Sequence, residues 1–127
     1  MLRITYLAII AVFTGLAPAV ACDLKESYVA RLGPADHFNS SGERLTSAAA
    51  IIRQDRANYH QFDKRDDEDD GDDFFGSKEN RATLERMLEN GTSSPAALDE
   101  IVNGTPLIEV SVCRGNRGRD YINVRVK

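Results

Sequence analysis

The 127-residue chain has no tryptophan, and aromatic residues make up only 7% of it. Stacking platforms for bases or sugar rings are built from such side chains, so recognition of that kind is excluded as a main function. Histidine is nearly as scarce. His37 and His60 lie too far apart in sequence to form a recognised metal-ligand motif. No nucleophile elbow surrounds Ser40 or Ser41, and no complete catalytic set is legible anywhere. An excess of positive charge is also missing. Sixteen Lys and Arg against 20 Asp and Glu leave a net charge of −4, which argues against general nucleic-acid binding. A permanent membrane-spanning helix needs about 20 apolar residues. The one candidate run, Ile4 to Leu16 and on to Ala21, is interrupted by Gly15 and Pro18. There is no internal repeat and no linker long enough to separate two domains.

What is present begins with that same run. A single cation (Arg3), an apolar stretch and then "APAVA", with small residues Ala19 and Ala21 before a cleavage point, have the layout of a secretory leader over residues 1–21. The remaining residues, 22–127, suit one small domain with a modest core. Export makes an oxidising compartment, most simply a periplasm, the expected location.

Two cysteines remain, Cys22 and Cys113. In an oxidising compartment a disulfide between them is the default. Cys113 falls on the polar face of its predicted strand, and Cys22 lies just before the first strand candidate, so pairing of those strands would bring the thiols together. A second reading stays open. "APAVAC" resembles a bacterial lipobox, in which Cys22 would receive a lipid anchor, although Ala19 stands where that motif usually has Leu.

Periodicity predicts the elements. "ESYVARL" (Glu26 to Leu32) reads as a strand closed by Gly33-Pro34. Phe38 and Leu45 are expected to anchor the turn-rich segment that follows. An amphipathic helix begins after Thr46-Ser47, with Ala48, Ile51, Ile52, Tyr59 and Phe62 inward and Arg53, Gln54, Arg56 and Asn58 mostly elsewhere. A second helix carries Thr83, Leu84, Met87 and Leu88 and stops at Asn90-Gly91. A third runs from the Ser94 N-cap and Pro95 to Asn103-Gly104, with Leu98, Ile101 and Val102 inward. Then Ile108, Val110 and Val112, and Ile122, Val124 and Val126, alternate with polar residues in two strands joined by a glycine-bearing turn. The expected fold class is α+β: a three-stranded antiparallel sheet, including the C-terminal hairpin, with one face on about three helices.

Two charged stretches are the candidate functional features. Asp66 to Asp73 holds seven acids in eight residues, interrupted only by Gly71. Placed on a calcium loop, Asp66, Glu68, Asp70 and Asp72 occupy ligand positions and Gly71 the turn, but Ser77 stands where the closing bidentate Glu is required. The segment therefore reads first as a solvated connector, with weak divalent-ion binding or docking of a cationic partner as alternatives. Of Phe74 and Phe75, at least one is expected to anchor it. At the hairpin tip Arg114, Arg117 and Arg119 offer a contact for an anionic ligand or an envelope protein. Asn39, Asn90 and Asn103 each begin a glycosylation acceptor triplet, and the last two also serve as helix stops. The functional expectation is a small exported binding module without a cofactor. Its competitors are a weak divalent-cation binder and a hydrolase using Asp36 to Ser41.

Overall fold

Alternation at the end of the chain builds the sheet. In the computed structural model, which describes Gly15 and residues 21–127, strands β2 (Leu107–Cys113) and β3 (Tyr121–Val126) form an antiparallel hairpin, and β1 (Leu24–Arg31) pairs antiparallel with the other side of β2. Apart from Gly15 and Ala21, the expected leader lies outside the described residues. The register sets Tyr28, Val110 and Val124 in one row and Ala30, Ile108 and Val126 in another. Their common face is buried down to Leu32 at the end of the row, whereas Ser27, Glu109, Ser111 and Arg125 share the opposite, partly open face. β1 begins two residues earlier than periodicity suggests, because Leu24 pairs with Cys113 and Asp23 O accepts from Arg114 N at 2.8 Å.

Helices cover the apolar face. Helix α1 (Ala48–His60) starts where Ser47 Oγ accepts from Ala50 N at 3.2 Å, and α4 (Pro95–Asn103) where Ser94 Oγ accepts from Ala97 N at 3.1 Å. Ile51, Ile52 and Ile101 are fully buried, each contributing about 1.5–3 kcal/mol by leaving water. The expected second helix is divided into α2 (Lys78–Ala82) and α3 (Leu84–Glu89). Thr83 causes the break: its Oγ1 donates to Asn80 O at 2.8 Å while its backbone sits at φ −90°, ψ 0°, off the helical geometry. Leu84 and Met87 still reach the core, and among the described residues four α-helices pack on the sheet side that holds it.

Two inward assignments and one outward assignment need correction. Phe62 lies beyond the end of α1, where helical spacing no longer applies, and is 45% exposed. Phe38 is 42% exposed, held in a bridge with Arg44, whose guanidinium lies 5.7 Å from the ring centroid. Arg56, expected outside the apolar stripe, is fully buried.

Both edges of the sheet are covered from within the chain, which blocks pairing with another sheet. Along β3, Val124 N donates to Ser93 Oγ at 3.0 Å and Asn123 Oδ1 accepts from Thr92 N at 2.8 Å. Gly91 makes that approach feasible, since a Cβ there would fall 1.7 Å from Ile122 O. Gly91→Ala is therefore expected to cost about 1–3 kcal/mol through forced displacement of the 91–93 segment, read from the urea midpoint. An unchanged midpoint would show that the segment moves away freely.

Candidate functional site

The acidic segment covers the other edge. Asp70 N donates to Val29 O at 2.8 Å while Asp70 Oδ2 accepts from Val29 N at 3.0 Å, so the residue pairs with β1 as a neighbouring strand would. Asp69 Oδ1 accepts from Arg31 N at 2.8 Å. Glu68 grips the Arg31 guanidinium with both oxygens, at 3.0 and 2.7 Å, and this holds its carboxyl below the usual carboxylate range. Glu26 answers from β1, accepting from Asp73 N at 2.7 Å and Phe74 N at 3.0 Å. Phe75 is fully buried beside Tyr28. The expected solvated connector is thus a fastened strap, because acceptor-rich side chains fit the unpaired N–H groups of an edge strand. Replacing Asp70 with Ala should accelerate hydrogen exchange of the Val29 amide about tenfold, while amides between β2 and β3 stay protected. Unchanged exchange at Val29 would refute the pairing.

Asp66, Glu68, Asp70 and Asp72 do not face a common centre. Asp70 addresses Val29 and Glu68 addresses Arg31, while Asp72 turns into the core. Asp66 stays at the surface, with its Oδ2 2.9 Å from where a Cβ on Gly33 would stand. Among the described residues no group of three or more His, Cys, Asp or Glu is arranged to hold a metal. Calcium titration is expected to give a dissociation constant no tighter than about millimolar, with a melting temperature unaffected by chelator. Micromolar binding would contradict this arrangement.

Asp72 leads to a polar core that the sequence pattern hides. Its Oδ1 accepts from Arg56 Nη1 at 2.8 Å and His60 Nε2 at 2.7 Å, and its Oδ2 from Phe75 N at 2.6 Å. Asp55 Oδ2 accepts from Arg56 Nε at 2.8 Å. The rings of Tyr28 and Tyr59 lie 4.2 and 4.7 Å from the same guanidinium. Burial pushes the carboxyl of Asp55 well above its usual range, despite the opposing field of Arg56. Burial also opposes the charge on Arg56, but Tyr28, Asp55 and Asp72 outweigh it and the net direction is upward. This cluster fastens α1 to the strap and to β1, and offers no opening to a substrate.

His37 is not placed to act as the base of a hydrolase built on Asp36 to Ser41. His37 is buried, with Nδ1 2.8 Å from Gly33 O and Nε2 2.9 Å from Ile101 O, so both ring nitrogens face backbone acceptors. Asp36 binds Asn58 Nδ2 and Gly33 N, at 2.8 and 2.9 Å, and burial raises its pKa. Neither residue hydrogen-bonds Ser40 or Ser41; both fasten the 3₁₀ turn Pro34–His37 to its neighbours.

At the hairpin tip the three arginines diverge. Arg114 pairs with Asp23 at 3.2 Å, whereas Arg117 and Arg119 share an open depression with Asn116. Gly118, at φ +72°, supplies the left-handed turn there.

A second concavity was not legible in the sequence. Two adjoining depressions of about 280 and 400 Å³ meet along α1, between the 38–42 loop and the start of α2, sharing Ser40, Gln54 and Phe62. Arg53, Lys78 and Arg81 line the first, and Phe38 and Lys64 the second. No carboxylate lines either. Among the described residues none of these four cations forms an ion pair. Arg81, though buried, is held by neutral acceptors: the carbonyls of Phe75 and Gly76 at 2.9 and 3.2 Å, and Gln61 Oε1 at 3.3 Å. The one sequence signal was the outer stripe of α1, Arg53, Ala57 and Gln61, which has no acid; the facing cations come from α2, and only folding brings them there.

No protein-family model, curated protein or solved structure matches the chain. Among the described residues no helix is long and apolar enough to cross a membrane. The Cys22–Cys113 disulfide is formed, as suits an oxidising compartment.

Proposed function

We propose that this chain is an exported, non-catalytic binding domain that receives an anionic partner in the cleft along α1. The observation that carries this reading is the segregation of charge: four cations that form no ion pair among the described residues line one concavity whose lining holds no carboxylate, on a chain of net charge −4. Such focusing attracts anions and disfavours cations at that face. Export is supported by the leader-like residues 1–21 and by the disulfide, and a periplasm suits both. The hairpin tip is the second reading, because among the described residues Arg117 and Arg119 also form no ion pair, beside an open depression.

Sulfate titration followed by ¹H–¹⁵N correlation spectra at low ionic strength tests the two. Shifts at the Gln54, Ala57 and Gln61 amides, lost in Arg53→Glu/Lys78→Glu, are expected. Shifts confined to Asn116 to Arg119 would transfer the site to the tip, and no localised shifts would sink the anion-binding reading.

A further inference from the structure

We propose that the ligand of this cleft is an amphiphilic anion: an aromatic or alkyl body ending in a carboxylate, sulfonate or phosphate. The inference rests on the anion-binding reading above and goes further by assigning the rest of the ligand. Among the described residues Phe38 and Phe62, 42% and 45% exposed, are two of the three large apolar side chains left open to solvent, and both line the same cleft. Leaving such rings partly in water forgoes the stabilisation that burying them would bring. Their exposure coincides with the cations rather than being scattered singly over the surface.

The parts lie side by side across α1, with Gln54 and Phe62 shared by the two depressions. Arg53, Lys78 and Arg81 line one depression, and Phe38 and Lys64 the other. A charged head among the three cations of the first would leave its body lying over Phe62 towards Phe38. The Arg44 guanidinium lies over the Phe38 ring, 5.7 Å from its centroid, so one face of the ring already meets a cation. Gln54, which lines both depressions, is held by a 2.9 Å hydrogen bond to Asn58 Oδ1. The combined space falls within the range of sites for small molecules, about 300–1,000 Å³. A bare inorganic anion would leave the rings unused, and a neutral apolar ligand would leave the cations uncompensated.

The test uses three probes on the disulfide-bonded chain of residues 22–127: 8-anilinonaphthalene-1-sulfonate, its neutral counterpart N-phenyl-1-naphthylamine, and sulfate. The sulfonate probe should bind saturably at one site, at least tenfold more tightly than either other probe. Phe62→Ala and Arg53→Glu/Lys78→Glu should each weaken it about tenfold or more, and Arg117→Glu/Arg119→Glu should leave it unchanged. Arg81 is left intact because it holds the backbone of Phe75 and Gly76, and circular dichroism confirms that each variant is folded. Equal affinity for the neutral probe would overturn the ligand class. Sulfate binding as tight as the sulfonate probe, unaffected by Phe62→Ala, would overturn it too while preserving an anion site. No response at the cleft amides to any probe would remove both readings.

Discussion

Replacing Arg56 with Met is expected to destabilise the domain by about 3–5 kcal/mol at neutral pH, enough to bring a domain of ordinary stability close to unfolding. The size follows from what is left behind. Asp55 and Asp72 are both buried, and Arg56 is the cation that each meets, at 2.8 Å. Removing it strands two carboxylates away from water, and the neighbouring His60 meets only Asp72. Methionine fills much of the space between Tyr28 and Tyr59, so lost volume is a minor part and lost charge the major one.

The pH dependence separates these causes. Burial already raises the Asp55 pKa above its usual value near 3.8, and loss of the opposing Arg56 field raises it further. A carboxyl with a raised folded-state pKa binds its proton more tightly in the folded chain. Its contribution to stability is full below the unfolded value and disappears as pH rises through the folded value. The deficit of the variant should therefore shrink as pH falls from 7 towards 4. Urea titrations at several pH values measure this, and a deficit independent of pH would mean that packing rather than stranded charge dominates.

Loss of the disulfide should have the next largest effect. Cys22→Ser/Cys113→Ser is expected to cost about 2–4 kcal/mol, below the 4–5 kcal/mol or so that chain entropy predicts for a bridge with a sequence separation of 91. The Cα atoms are 5.4 Å apart, inside the ordinary window for a bridge, so the backbone accommodates it. The shortfall comes from position: Cys22 lies just before β1, and its removal frees mainly Asp23 and Leu24, while β1 beyond the irregularity between Leu24 and Glu26 keeps its ladder. Faster exchange at the Arg114 amide, which donates to Asp23 O, should accompany the loss of stability. Unreduced protein should resist alkylation. A lipid thioether on Cys22 would need the same sulfur, so the intact mass separates the two outcomes; a diacylglycerol-sized addition would contradict the bridge.

The amino-acid sequence by itself determined the α+β class, the three strands and their inward faces, and two of the helix starts. These are local properties. Ile108, Val110 and Val112 share a face because strand side chains alternate, and Ser47 and Ser94 cap because a hydroxyl can reach an N–H three residues on. The cysteine pair was legible for a related reason, since a strand register that buries Tyr28 and Val110 together also brings Cys22 close to Cys113. Tertiary structure alone decided the rest. Seven acids in eight residues look like a solvated run until an edge strand presents N–H groups that need acceptors, and Val29 and Arg31 lie about 40 residues away in the chain. Arg56 is an outward-facing cation by helical spacing, yet carboxylates from its own helix and from the strap make its burial tolerable. The cleft joins an acid-free stripe of α1 to cations on α2 and a ring from the 38–42 loop. No period in the sequence records that meeting, because charges and rings from separate elements become a site only when packing fixes the distances between them.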